Sequence, residues 1–221
     1  YADGGIDRTR TFEEQADNLY GFGIEGLDFG LVQIKAGGAT YTALKAQSDS
    51  VRLYGFDEEI FELSAQDFRV EVNQGSVAGK VINFGASYPD VGGLELSTGG
   101  DPVLIDFDGS ERLGIFAGTA TLAIYKFIYF RGGIGFEKAD VPAGLKLGNG
   151  LPLPAGSAFK VGGSGINAFV GYAEDGIDRT KTFEEQADSL YGFGIEGLDF
   201  GLVQIKAGGT TYTALKSQAD S

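Results

Sequence analysis

The side chains in this sequence with the capacity for chemistry are carboxylates. Aspartate and glutamate number 31 against 17 lysines and arginines, and Cys, His, Met and Trp are absent. Without Cys or His there is no thiolate nucleophile, no Ser-His-Asp triad and no ordinary zinc site. Two groups of acids have suggestive spacing. "DFDGSE" sets Asp106 and Asp108 two residues apart, with Glu111 just past Gly109. In "YAEDGIDRT", Glu174, Asp175 and Asp178 surround Gly176, and Asp3 and Asp7 hold two of the matching places in "YADGGIDRT". Clustered carboxylates with turn carbonyls are what a hard cation such as Ca²⁺ needs, about six to eight oxygens in all. The EF-hand spacing is not met. A facing carboxylate pair would also serve as acid and base in a glycosidase. Asp-Gly is, however, a common hairpin signal, and polar Asp-Gly phrases suit solvated turns. A turn is therefore the first expectation at both places, a Ca²⁺ site the second and catalysis a distant third. No enzyme activity is expected, and no cofactor beyond Ca²⁺ suggests itself.

The elements that would position these acids read as strands. The 221 residues include 37 Gly, 17 Phe and 10 Tyr but only 5 Pro, a β-like mixture. "LYGFGIEGLDFGLVQIKAG", "TYTALKAQ", "SVRLYGF", "IFELSAQDFRVEVNQ" and "GKVINFGAS" follow one another between turn residues. Phe68, Val70 and Val72 alternate with charges, and Val103, Ile105 and Phe107 share one face, with Asp106 and Asp108 on the other. The run from Arg112 to Asp140 is apolar on both faces through its middle, as a strand buried on two sides, or a pair of strands in a closed or rolled sheet, would be. Within it Tyr125, Phe127 and Tyr129 alternate on one strand face; exposed they would stack on sugars, and buried rungs are the default. "DFDGSER" and "FRGGIGF" look like hairpin turns, and "GGIGF" and "GGSGINAF" read as turns or bulges, since no phosphate-loop Lys follows. "GLKLGNGLPLPAGSAFKVGGSG" reads as a connector with one edge strand. The one helical signal is "TRTFEEQAD", where Thr11 and Glu14 form a capping box, Phe12 docks the helix and Gly21 ends it. Thr182 and Glu185 repeat it.

That last repetition is part of a larger one. Residues Tyr1–Ser50 align without gaps on Tyr172–Ser221 and differ at seven of 50 positions. The offset of 171 residues exceeds that of short solenoid repeats. Residues 1–171 are read as one full period and 172–221 as the start of the next, a window onto a longer tandem array. With no initiator Met, the chain is expected to be a fragment or a processed product. The net charge of −14 disfavours nucleic-acid binding, and no apolar run reaches membrane-spanning length. The expected fold is all-β: an elongated, mostly antiparallel, twisted or rolled sheet built from tandem repeats, with one short helix near the start of each period. A β-solenoid is the alternative.

"GLDFGLVQIKAGGATYTALKAQSDSVRLYGFD", "FRVEVNQ", "LIDFDGSERLGIFAGTATLAIYKFIYFRGGIGFEK" and "INAFVG" together resemble β-rich modules of very large bacterial repeat proteins. The resemblance implies a secreted or surface-attached, adhesin-like protein, sometimes associated with hemolysin-type calcium-binding repeats, and it brings no catalytic signature. In similar modules an Asp- and Gly-rich cation loop follows "NAFVG"; "YADGGIDRT" and "YAEDGIDRT" depart from it. The expected function is a structural repeat of a giant extracellular bacterial fibre or adhesin. Its periods would join end to end by sheet continuation, with Leu19–Ala46 and its copy Leu190–Ser217 lying against the last strands of the period before. The expected partners are neighbouring repeats, with surface glycans or other cells as further ones. A calcium-dependent or carbohydrate-binding surface module is the alternative, and a carboxylate-based glycoside hydrolase a remote one.

Overall fold

A computed structural model describes residues 1–77 and 79–220. The fold is all-β. Strands β1 (Gly21–Glu25), β2 (Asp28–Ala36), β3 (Ala39–Tyr54), β4 (Phe61–Gly75), β7 (Arg112–Ile124), β8 (Ile128–Val141), β9 (Gly156–Ala173), β10 (Leu190–Ala207) and β11 (Thr210–Gln218) form one antiparallel sheet. It is not closed into a barrel. The sheet keeps chain order: β1 and β2 both pair with β3, which pairs with β4, and the series runs through β7, β8, β9 and β10 to β11. Neighbours in sequence are thus neighbours in space, and no parallel crossover is needed.

Tight glycine turns make this possible. Gly37 and Gly38 have φ of 58° and 76°, and Gly208 and Gly209 have 57° and 78°. Two successive positive φ values match the right-handed twist of the strands they join, so β2 returns directly as β3 and β10 as β11. Other glycines sit inside strands as seats for rings. A Cβ at Gly114 or Gly135 would lie 2.6 Å or 2.8 Å from the Phe116 ring, which rests across both strands. "GGIGF" therefore lies within β8 and "GGSGINAF" within β9, with the register shift between Arg131 and Gly133 marking a bulge. The expected hairpin at "FRGGIGF" is absent for the same reason: its glycines make room for side chains and leave the strand extended.

Between β4 and β7 the chain leaves the sheet. It forms a four-residue helix α1 (Phe84–Ser87) and a two-stranded ribbon of β5 (Leu94–Leu96) with β6 (Val103–Ile105). Asn83 caps α1 by accepting from the Ala86 N–H at 2.8 Å, so "GKVINFGAS" ends in a helix and not a strand. Phe84, Ile105 and Phe107 of this excursion bury against Ala43 of β3, with Val32 and Ile34 of β2 packed alongside. Buried Asn73 on β4 donates to the carbonyls of Ile82 (3.2 Å) and Ser110 (3.0 Å), pinning both ends of the excursion.

Several local expectations change. "TYTALKAQ" and "SVRLYGF" are one strand, β3, because Ser48 and Asp49 continue the extended backbone between them. The run from Arg112 to Asp140 is not covered on both faces, since Leu113, Ile115 and Phe136 are exposed. "SAFKVGG" belongs to β9, an interior strand between β8 and β10, and is no edge. Tyr125 and Phe127 stand in the β7–β8 turn, where Tyr125 has φ of 44°, and both are exposed; Tyr129 alone is buried. The three rings therefore share no strand face.

Candidate functional site: the joint between the two copies

The second copy joins the first period as more sheet. Strand β10 pairs with β9 from Leu190↔Ala173 to Ala207↔Gly156, with register shifts between Ile195 and Phe200. Side chains cross the shift in both directions. Asn167 Oδ1 accepts from the Gly197 N–H at 2.9 Å, and Asp199 Oδ1 accepts from the Gly165 N–H at 2.9 Å. The glycines supply the positive φ of the bulge (55° at Gly165, 61° at Gly197), and the two polar side chains pair the amides the bulge frees.

Above this joint lies an arm, residues 174–189, that folds back over the period before it. Its shape comes from a buried amide. Gln186 Nε2 donates to the carbonyls of Asp178 (3.0 Å), Lys181 (3.4 Å) and Thr182 (3.2 Å), while its Oε1 accepts from the Asp178 N–H (3.0 Å). The capping box is present as the sequence implies. The Thr182 N–H donates to Glu185 at 2.8 Å and the Glu185 N–H to Thr182 Oγ1 at 3.2 Å, opening a 3₁₀ helix over Glu184–Ser189. That helix ends before Leu190, which is already extended; in the first copy Glu13–Asn18 likewise ends before Leu19, ahead of Gly21.

The arm holds the joint by packing and by charge. Ile177, Phe183 and Leu190 pack on the buried trio Tyr129, Phe169 and Ala173. The Phe183 ring stands edge-on to Tyr129 at 6.4 Å and tilted to Phe169 at 5.9 Å. Gly194 lies beneath it, and a Cβ there would reach 2.7 Å from the ring. Arg179 forms an ion pair with the buried Glu62 on β4 and lies 5.6 Å from the Tyr129 ring centre. Lys126 in the β7–β8 turn donates to the Glu174 carbonyl.

The acids singled out from the sequence do not converge. Asp7 and Asp178 each accept from the residue two ahead, Thr9 N–H and Oγ1 at 2.9 Å and 2.7 Å, and Thr180 likewise. The threonine side-chain bond, then the backbone bond, holds each carboxyl below the usual range, with Lys181 adding to the effect at Asp178. Asp3, Glu174 and Asp175 are exposed around the same turns. Asp106 and Asp108 follow the end of β6 and share no strand face. Asp106 meets Lys45 at 2.5 Å, while Asp108 accepts from the Ser110 N–H at 3.0 Å, and this bond lowers its carboxyl. Glu111 sits 3.9 Å from Lys138. Among the described residues no three Asp or Glu side chains are grouped so as to hold a metal ion. The "DFDGSER" turn exists, but it leads from the ribbon into β7 and joins no strand pair. Sequence reasoning missed Gln15 and Gln186, Glu62 and Arg179; only the verbatim return of "DRT" and "FEEQAD" in both copies pointed to the arm.

A second feature flanks the joint. Exposed rings of Tyr125, Phe127, Tyr172 and Tyr191 form a row with centres 5.8, 5.9 and 6.5 Å apart. No helix among the described residues is long and apolar enough to cross a membrane, which says nothing of strands. No family model matches the chain, and neither does any curated protein or solved structure.

Proposed function

We propose that this chain is a structural segment of a large bacterial surface or secreted fibre, adhesin-like, whose periods join end to end as one continuous sheet. The observation that carries this reading is the β9–β10 pairing, in which the opening of one period extends the sheet of the period before it. Such a joint hides the backbone edge that an isolated β-module would present to other chains. Stability then grows with nearest-neighbour contacts, as in other repeat arrays. The test is a series of chains lengthened by whole periods of 171 residues. Small-angle scattering is expected to give a maximum dimension that rises by a constant increment per period; a rise following that of flexibly linked beads overturns the reading. Localisation outside the cell, on a bacterial surface or secreted, belongs to the same proposal.

The aromatic row favours a second reading, a carbohydrate-binding surface. Exposed rings about 6 Å apart suit stacking on successive sugar rings. Retention on polysaccharide columns that is lost on Tyr172→Ala would support it, and equal elution of both proteins would remove it.

A further inference from the structure

The two copies share a sequence but not an environment. In the second copy, Ile177, Arg179 and Phe183 are seated on Tyr129, Glu62 and Phe169 of the preceding period. Their first-copy equivalents, Ile6, Arg8 and Phe12, are folded into the same arm. Gln15 Nε2 donates to the carbonyls of Asp7 (3.0 Å), Arg10 (3.3 Å) and Thr11 (3.1 Å), as Gln186 does in the second copy. Yet Ile6 is 55% exposed, and among the described residues Arg8 has no ion-pair partner and no strand pairs with the outer side of β1 and β2. Phe29 and Leu31 on that edge are exposed, whereas their equivalents Phe200 and Leu202, beside β9, are partly buried. The first arm has the form of the second, and among the described residues nothing is seated against it.

We propose that the arm selects the partner at this joint: where the seat of a second copy is opened, the first 36 residues dock on it, Arg8 recognising that copy's Glu62 while Ile6 and Phe12 cover its Tyr129 and Phe169. The inference rests on the sheet-continuation reading and adds what selects the partner. Backbone edges are generic, so any strand could pair with β1 and β2. The buried carboxylate of Glu62 is not generic: unpaired, it carries the desolvation penalty of a buried charge, so a wrong neighbour is rejected. Register follows from the chain's own joint, with Leu31 opposite Val161 and Phe22 opposite Val170, by the 171-residue offset from Leu202↔Val161 and Phe193↔Val170. Tyr1 and Ala2 already occupy the places of Tyr172 and Ala173, Ala2 bridging Leu19 as Ala173 pairs Leu190. The incoming strand is therefore residues 156–171. That strand is covered in each chain by its own β10, so docking in trans is an exchange in which one chain's first 50 residues take the place of another's last 50.

The tether gives the C-terminal copy an effective concentration of roughly millimolar, so the unaltered chain is expected to stay monomeric. Arg179→Glu sets two carboxylates against each other and weakens this seat on the order of a hundredfold. Exchange then competes at protein concentrations of about 0.01 mM. Light scattering after gel filtration is expected to show concentration-dependent oligomers for R179E and monomer for R8E/R179E, whose own joint is equally damaged. Hydrogen exchange across residues 190–207 reports whether that joint has opened. If R179E and R8E/R179E associate equally, the arm does not choose the partner and the proposal falls, while sheet continuation stands. If R179E opens its joint and remains monomeric, sheet continuation falls as well. If the joint stays protected in R179E, the Arg–Glu contact does not hold it, and the proposed role of Arg8 falls with it.

Discussion

A glutamine whose amide nitrogen is shared among three carbonyls has no donor left for water, and truncating it strands those carbonyls inside a folded loop. Gln186→Ala is therefore expected to destabilise the chain by about 1–3 kcal/mol in urea unfolding, against less than about 0.5 kcal/mol for exposed Glu184→Ala. Gln15→Ala is expected to behave alike. Three other polar groups make a pH prediction. Asp7, Asp108 and Asp178 have carboxyls held below 3.8, chiefly by bonds from Thr9, Ser110 and Thr180. A depressed folded value means the charged form favours folding. The contribution is complete above the unfolded value near 4 and is lost as pH falls through the lowered one. Urea midpoints are expected to decline below pH ~4, and less steeply for Asp108→Asn. At this scale the sequence was legible where a motif is local. The capping boxes and the Asp-Gly turns are short-range hydrogen-bond patterns written in consecutive residues. Glu62 and Arg179 lie 117 positions apart and could be paired only by the fold.

Strands were legible as extended, and their turns only in part. Glycine has two uses that look alike in one dimension. It supplies positive φ at Gly37–Gly38, and it makes a flat seat for a ring at Gly114, Gly135 and Gly194. The second use depends on what crosses from the neighbouring strand, so in sequence "FRGGIGF" looks like a turn although it lies within β8. The seats are open to test. Gly194→Ala puts a methyl 2.7 Å from the Phe183 ring and is expected to cost about 1–3 kcal/mol by overpacking, with the loss of protection beginning in the arm. The excursion between β4 and β7 is held by apolar burial, and Phe84, only 2% exposed, is its anchor. Phe84→Ala is expected to cost about 3–5 kcal/mol, read as a lowered urea midpoint. "GKVINFGAS" reads as a strand because Ile82 and Phe84 belong to an apolar run, and apolar patterning does not show the Asn83 cap that turns the backbone.

At the scale of the whole molecule, first and last strands lie at opposite ends of the sheet, since chain order is kept throughout. The all-β class followed from composition and turn spacing, whereas antiparallel pairing was legible only as a preference, because the two phrases that looked like hairpins, "DFDGSER" and "FRGGIGF", join no strand pair. The second copy extends the sheet at β9, the last strand of the period before it, whereas its first-copy equivalents β1 and β2 pair with β3 alone among the described residues. Force applied at the two termini would act along the direction in which strands are stacked, and the bonds of each ladder lie in that direction too. They would yield in sequence, like a zip opened from its end, and not together as in strands sheared past one another. Each 18-residue strand peeled away, β9 or β10, would release roughly 60 Å of slack. A tether built this way gives length under tension before any covalent bond is strained, and it recoils as the ladders re-form.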